Sequence, residues 1–285
     1  MIHTFQTNVT RRRQVRRLAW SFLRYVIVLI ALIFFVFPMY WLISTSIKRP
    51  EEYTHTPPIY IPQQPTLNNY NRAWNEGLKS LGDSLIISVG TTLLTLAIAS
   101  SVAYSMARFN TGGSDFSFWV LSQRMLPPIA VILPIFILYR TVKLIDTHIG
   151  LIMLYTVFNL PFAIWMLRGY FVEIPHEIEE GALVDGASRI QALRYVTLPL
   201  AAGGVSATTV FVFIFSWTEF LFALILSRSS IVTLPVLVAR YFGVNTSDWG
   251  LASAVSVVAS VPIILLSLAV RQHFVRGITM GAVKS

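Results

Sequence analysis

The chain has 285 residues, of which 55% are hydrophobic and only 12% charged, about half the roughly 25% charge of an average soluble domain. So few charges cannot cover a water-soluble fold of this size, and the composition indicates an integral membrane protein. The net charge of +9 does not indicate nucleic-acid binding. Its basic residues are scattered between apolar runs, and the one cluster (Arg11, Arg12, Arg13, Arg16 and Arg17) stands directly before such a run, as a membrane-orientation signal does. Cysteine is absent, which excludes disulfides, thiolate nucleophiles and Cys-ligated metals. His3, His55, His148, His176 and His273 show no metal-ligand spacing.

In chain order, residues 1–19 form a basic terminus and the first span follows. About 20 mainly apolar residues cross a hydrocarbon core about 30 Å thick. Six stretches qualify: Trp20–Ile43, Ser84–Ala107, Ser117–Tyr139, Gly150–Leu167, Ala201–Leu226 and Leu251–Val270. None alternates as a membrane barrel strand would, so the expected fold class is all-α, a polytopic membrane protein with six transmembrane helices. The first apolar run is too long for a signal peptide and lacks a small-residue cleavage site, so it is expected to stay uncleaved. Asn159 and Pro161 interrupt the fourth. With the N-terminus inside, thirteen Lys and Arg fall on the inner side against eight outside, with Arg124 within span three. That asymmetry predicts both termini on the cytoplasmic face. The expected organisation is a first helix over 20–43, an external loop over 44–83, a five-helix core over 84–271 and a cytoplasmic tail over 272–285.

Two connections are long. Lys48–Asp83 is rich in Pro and Asn and reads as an irregular, ordered lid with a short helix around Asn68–Asn75, or as a disordered linker. The inner connection, Arg168–Leu200, carries more information. Pro175 suits a first helical turn, and Glu177, Glu179 and Glu180 follow where the positive end of the helix dipole favours acid. Ile178 and Ala182 give one small apolar face. Gly186 supplies the backbone freedom a helix C-terminus needs. Ser188 with Gln191 reads as a capping box, Ile190, Leu193 and Val196 form a second apolar stripe, and Pro199 stops the helix. The segment 173–199 is thus a helix–turn–helix at the membrane surface. Its small-residue tip either admits another protein's backbone or packs on its own spans.

No Gly-Lys pair occurs anywhere, so the chain lacks the phosphate-binding loop that an ATPase needs. Acids are few and lie mainly in loops, which gives no support for paired-carboxylate or Ser-His-Asp catalysis; the chain is not expected to be an enzyme. Arg124 and Glu219 lie within or near spans, where a charge costs about 2.5–3.5 kcal/mol. With Gln123 and Asn159 they either border a translocation path or form an Arg–Glu pair that fixes packing. Phe211, Phe213, Phe215 and Trp217 either stack on a transported solute or face lipid and core.

The run Glu180-Gly181-Ala182-Leu183-Val184-Asp185-Gly186-Ala187, followed by Leu198-Pro199, resembles the EAA motif of ABC-importer permeases, with Gly181 in place of the first Ala. Arg124-Met125-Leu126-Pro127-Pro128, the run from Ser216 to Ala223 and the ending Val275 to Lys284 resemble its MalG-like carbohydrate-uptake branch. Trp217-Thr218-Glu219 departs from the more usual Trp-Asn-Glu. The resemblance implies the type I importer fold, a second homologous permease, a dimer of cytoplasmic P-loop ATPases that bind ATP and Mg, an external solute-binding protein and a carbohydrate substrate. Carried over, Glu180, Gly181, Ala182, Asp185, Gly186, Ala187, Leu198 and Pro199 form the ATPase-coupling element. The tail Met280–Ser285 resembles tails that reach the ATPase, against a frayed terminus. The substrate would be a disaccharide or oligosaccharide, with a polyol or glycerol-phosphate ester as alternatives. Two other readings are an ion-gradient-driven secondary transporter, with Glu219 as its cycling acid, and a membrane receptor or scaffold.

Overall fold

A computed structural model describes the backbone of residues 2–242 and 248–281, and the side chains of 20–113, 115–242 and 248–270. The side chains of the basic cluster Arg11–Arg17 and of the tail therefore lie outside the described residues, as does residue 282 onward in full. Every regular element described is a helix. In chain order these are α1 (Ile2–Ser46), α2 (Pro50–Tyr53), α3 (Asn68–Phe109), α4 (Gly113–Ser122), α5 (Pro128–Thr141), α6 (His148–Val172), α7 (His176–Val184), α8 (Arg189–Ala192), α9 (Leu198–Leu200), α10 (Ala202–Trp217), α11 (Leu221–Leu226), α12 (Leu234–Arg240) and α13 (Trp249–Gly281). Four of the described helices are long and apolar enough to cross a membrane, and two bent pairs bring the number to as many as six.

α1 crosses as Trp20–Ser46 and leaves its most apolar stretch unburied. It packs chiefly along α13 and carries Leu, Ile and Phe on all sides, as a lipid-facing helix does. The following loop is irregular and ordered by its own charges. Glu52 Oε1 accepts from Gln63 N and Gln64 N at 2.8 and 2.9 Å. The Lys48 ammonium donates to Ile59 O and sits 4.1 Å from the Trp41 ring; burial lowers its pKa, and Glu52 opposes that shift.

The short helix expected at Asn68–Asn75 is instead the first part of α3, which runs unbroken for 42 residues. The loop expected to be external thus ends near residue 67 rather than 83. No proline interrupts Asn68–Asp83. At about 1.5 Å per residue α3 is about 63 Å long, roughly twice the hydrocarbon thickness, so its polar first turns read from sequence as a loop. Ala73, Gly77 and Ser80 are buried there, with Gly77 facing Leu237 and Val255.

The third span is not one straight helix. A 3₁₀ turn at Gln123–Met125 joins α4 to α5 with an 86° bend. Pro127 and Pro128 are the cause: each lacks an N–H and forces the preceding residue out of the helical region, so Leu126 and Pro127 are extended. Pro161 does not break α6, which runs through it as a single helix. The fifth span also departs from expectation. α10 ends at Trp217, residues 218–220 break the helix, and α11 follows. On its other side Arg189–Leu200 meets α10 at 85°. There a π turn at Leu193–Thr197 carries Leu198 N to Leu193 O, the wider spacing that Pro199, without an N–H, accommodates.

The core is built on small residues. α3 buries Ser84, Ser88, Thr91, Thr95, Ala99 and Ala103, and packs most extensively against α6, with α10 alongside. Lipid tails are as apolar as Leu, so spanning helices associate through close van der Waals contact, which small side chains permit. Larger residues fill the two ends: Leu167, Phe171 and Val212 near α7, and Ile87, Leu154, Phe222 and Leu226 at the opposite end.

At that opposite end two carboxylates hold the loop between α11 and α12. Asp146 Oδ1 accepts from Arg228 N and Ile231 N at 2.9 and 3.1 Å, and Oδ2 from Ser229 N and Ser230 N at 3.3 and 2.9 Å. Asp83 accepts from Val232 N at 3.1 Å and meets His148 Nε2 at 2.8 Å, while Ser84 Oγ accepts from Leu234 N. Burial by itself raises the Asp146 pKa, but the N–H groups of Arg228, Ser230 and Ile231 outweigh it and hold the carboxyl well below the ordinary range. A depressed folded-state pKa means a stabilising contribution that is complete above the unfolded value of about 4 and is lost as pH falls below it. Asp146→Ala should loosen the 227–233 loop by about 2 kcal/mol at pH 7. Limited proteolysis of that loop in wild type and variant checks this, and acidification below pH 4 should bring the wild type toward the variant.

A candidate coupling surface and a polar break within the spans

The connection between α6 and α10 begins at Pro175, the N-cap of α7, with Glu177 and Glu179 in the first turn. α7 stops in a Schellman motif: Ala187 N donates to Ala182 O at 3.0 Å and Gly186 N to Leu183 O at 3.1 Å. The motif demands a left-handed residue, and Gly186 has φ +92°. A Cβ on Gly186 would meet nothing within 4 Å, so the chain's own atoms leave the space over this turn open. Ser188 then opens α8 with a complete capping box, Ser188 N to Gln191 Oε1 at 2.7 Å and Gln191 N to Ser188 Oγ at 3.3 Å.

The sequence-derived coupling residues fall into two sets. Glu180, Gly181, Asp185 and Gly186 are exposed, whereas Ala182, Ala187 and Leu198 are half-buried. Pro199 is exposed and sits at the bend into α10. The apolar residues of this connection turn inward only in part. Leu193 and Val196 are half-buried, but Ile178, Val184 and Ile190 are exposed, Val184 at 87% and Ile190 at 78%. The tip thus presents apolar side chains beside acids and an open backbone turn.

Glu179 is the residue that the sequence did not single out. It is 2% exposed. Its carboxylate accepts from the Tyr104 hydroxyl, from Arg108 Nε at 2.6 Å and from Thr197 Oγ1 at 3.4 Å, with Arg189 at 3.8 Å. In the sequence it was one of three acids suited to a helix N-terminus. The only further signal is the donor pair Tyr104 and Arg108, one turn apart at the end of α3, which calls for an acceptor without saying which.

Inside the spans, the structure brings the polar residues to the two helix breaks. Arg124, on the 3₁₀ turn, donates to Phe158 O at 2.9 Å and lies 4.5 Å from the Phe215 ring and 5.9 Å from that of Phe162. Phe158 is one residue past the carbonyl that Pro161 leaves without its helical donor. Gln123, exposed, turns back to Trp119 O at 3.3 Å. Asn159 is buried, donates to Tyr155 O and to Ser216 Oγ on α10, and leaves its Oδ1 without a partner. Glu219 sits at the other break. Its two oxygens accept from Phe222 N and Ala223 N at 2.9 and 3.2 Å, capping α11. The Arg124–Glu219 pair weighed from the sequence is therefore not formed among the described residues. Trp217 is core, 4% exposed, stacked on Phe213 and donating to Ala259 O. Phe162, Phe211 and Phe215 cluster beside Arg124, with centroids 5.2–6.1 Å apart. This arrangement can offer a guanidinium and aromatic rings to a polar solute, while the orphan Asn159 amide oxygen stays buried behind them; it holds no nucleophile–base pair.

Residues 98–280 match the family of binding-protein-dependent transport system inner membrane components. The chain is 35% identical to the trehalose transport system permease protein SugB of Mycobacterium tuberculosis over 93% of its own length and 97% of that protein. It is 34% identical to the sulfoquinovosyl glycerol transport system permease protein SmoH of Agrobacterium fabrum over 92% and 93%. In fold it is similar to a chain of a bacterial ABC transporter involved in the import of the acidic polysaccharide alginate, with a TM-score of 0.75 at 22% identity over 90% of this chain and 96% of that one.

Gly186→Ala places a side chain in a left-handed turn, at a cost of roughly 1–2 kcal/mol, without a clash in the free chain. Amide hydrogen exchange at residues 182–191 should accelerate by about tenfold, since 1.4 kcal/mol is a factor of ten, while the small-residue core of α3 stays protected. Unchanged exchange would mean that the glycine turn is not what stops α7.

Proposed function

From the premise that the chain belongs to the family of binding-protein-dependent transport system inner membrane components, we propose that it couples ATP hydrolysis by a separate cytoplasmic ATPase to the inward passage of a carbohydrate. It is an ABC transporter permease subunit, a multi-pass inner-membrane transport component rather than an enzyme. In this reading both termini are cytoplasmic, α7 and α8 lie on the cytoplasmic face, and the loops held by Glu52, Asp83 and Asp146 face outward. A second homologous permease completes the pathway, two copies of the ATPase bind ATP and Mg, and an external binding protein delivers the solute. The relatives named for trehalose and for sulfoquinovosyl glycerol favour a disaccharide or glycoside, ahead of a polyol or a glycerol-phosphate ester.

The observation that carries the coupling role is the open turn at Gly186. A surface helix that ends in a left-handed glycine, with nothing of its own chain above it and with Val184 and Ile190 exposed beside it, has the shape of a surface made to be covered. Exposed Glu180 and Asp185 flank it and set its charge. When the ATPase dimer closes, α7 moves with it, and the helices rooted in the connection reorient to alternate the access of the cavity. Around Arg124 and the Phe162–Phe215 rings the solute finds hydrogen-bonding and stacking groups; Gln123 lies on the rim, and the buried Asn159 amide joins them only when α6 and α10 part. Trp217 and Glu219 support this region from behind, Trp217 by packing α10 on α13 and Glu219 by holding α11. Because both Glu219 oxygens are engaged by backbone N–H groups, the residue is poorly placed to act as the cycling acid of an ion-driven transporter.

The test is a mild-detergent purification of the tagged chain from native membranes. Co-purification of a P-loop ATPase and a second EAA-bearing permease is the expected outcome; recovery of the chain alone, transporting without ATP, would overturn the reading. Gly186→Val should retain membrane insertion but lose ATP-driven uptake of trehalose or sulfoquinovosyl glycerol, whichever the wild type carries, by at least the factor of about ten that a coupling energy of 1–3 kcal/mol implies.

A further inference from the structure

We propose that Glu179 is the positioning residue that ties α7 to the spanning helix α3, so that displacement of α7 is passed to α3 through one buried carboxylate. The inference rests on the coupling reading above and concerns how the motion enters the membrane.

None of the apolar clusters formed by the described residues includes a residue of His176–Val184. The main backbone neighbours of α7 are α8 and the π turn, elements of the same connection. Hydrophobic packing therefore does not fix α7 against the bundle. What reaches the bundle is Glu179, one turn into α7. Both its side chain and that of Arg108 are 3% exposed, and the Nε–Oε2 distance is 2.6 Å. Tyr104, a turn earlier on α3, donates to the other carboxylate oxygen. Thr197, on the π turn leading into α10, donates to the same oxygen as Arg108.

Three properties follow. First, a carboxylate held by donors from two elements is fixed in direction as well as distance, because charge-assisted hydrogen bonds are short and strongly oriented; an apolar contact in its place would let α7 slide. Second, Arg108 grips the connection twice, since its Nη1 also donates to Ile174 O at 3.0 Å, just before α7. A shift of α7 therefore loads Arg108 and Tyr104 on α3 together. Third, the joint is nearly dry, so little water is present to replace a broken bond, and α7 and α3 are held to move as one body. Arg189 approaches from outside at 3.8 Å with its side chain over half exposed, beside the Phe109 ring at 5.2 Å, and closes the pocket from the surface.

The absence of cysteine allows a readout that needs no knowledge of the solute. In the complex with its ATPase, Gln123→Cys places one thiol at the break between α4 and α5, where its labelling by a water-soluble maleimide reports access to the pathway. Addition of ATP with Mg should change that labelling rate by about tenfold. In Glu179→Gln the change should vanish while co-purified ATPase and its hydrolysis rate stay within about twofold. Tyr104→Phe, which removes one donor and strands no charge, should reduce the change by a smaller factor. A Glu179→Gln complex that still responds fully to ATP overturns the proposal. If that variant fails to assemble, Tyr104→Phe decides alone, and a full response overturns it. An unmutated joint with no ATP response at all would instead overturn the coupling reading on which the proposal rests.

Discussion

A backbone N–H or C=O group facing hydrocarbon has no water to bond, and each one left unsatisfied costs several kcal/mol. That constraint governs where this chain is allowed to stop being a helix. Two of its breaks, at residues 123–127 and 218–220, are places where side chains take over from the backbone ladder. Glu219 receives the first free N–H groups of α11. Thr218 returns its hydroxyl to Ile214 O, and Arg124 covers the Phe158 carbonyl across the gap. A charge inside a span is costly on its own account; here each charge is used where an uncapped helix end or an uncovered carbonyl would otherwise be exposed. Asn159 and the phenylalanine rings stand beside the first of these breaks, so the groups proposed to meet the solute and those that repair the backbone are close neighbours.

The two ends of the bundle solve different problems with the same side chain. At one end Asp146 and Asp83 accept backbone N–H groups and hold a loop in place. At the other, Glu179 accepts side-chain donors from another helix and holds that helix relative to α7. Between them runs α3, a single 42-residue rod whose buried face is small enough to lie close against α6. A rod held at Asp83, well inside its first half, and by Arg108 and Tyr104 at its far end can pivot as a unit, which suits a transporter that exposes its cavity to each side in turn.

Much of this was legible in the sequence, and the remainder was hidden for identifiable reasons. Apolar length located the membrane-crossing segments because hydrocarbon thickness imposes it. The Schellman turn at Gly186 and the capping box at Ser188 and Gln191 were readable because both depend on residues a few positions apart. The breaks were less so. Pro127 and Pro128 announce one, but the other lies in an apolar run, and only the partnership of Glu219 with amides three and four residues ahead explains it. The start of α3 was hidden because a spanning helix that projects beyond the membrane carries the polar residues of a loop. Glu179 was hidden because its partners lie 71 and 75 residues away on another helix, and nothing in its local sequence distinguishes it from the exposed Glu177 and Glu180.

The loop held by Asp146 has one more consequence, for how such a protein can diversify. The carboxylate accepts from the main-chain N–H groups of Arg228, Ser229, Ser230 and Ile231, which every residue except proline supplies, and from the Ser230 side chain as well. The side chains at the exposed positions 228 and 229 therefore take no part in the grip of this carboxylate on the loop. They are free to be exchanged for others that meet a differently shaped or charged surface, while the backbone beneath them keeps its path. The fold thus separates, over a span of four residues, the part that must be kept from the part that can drift.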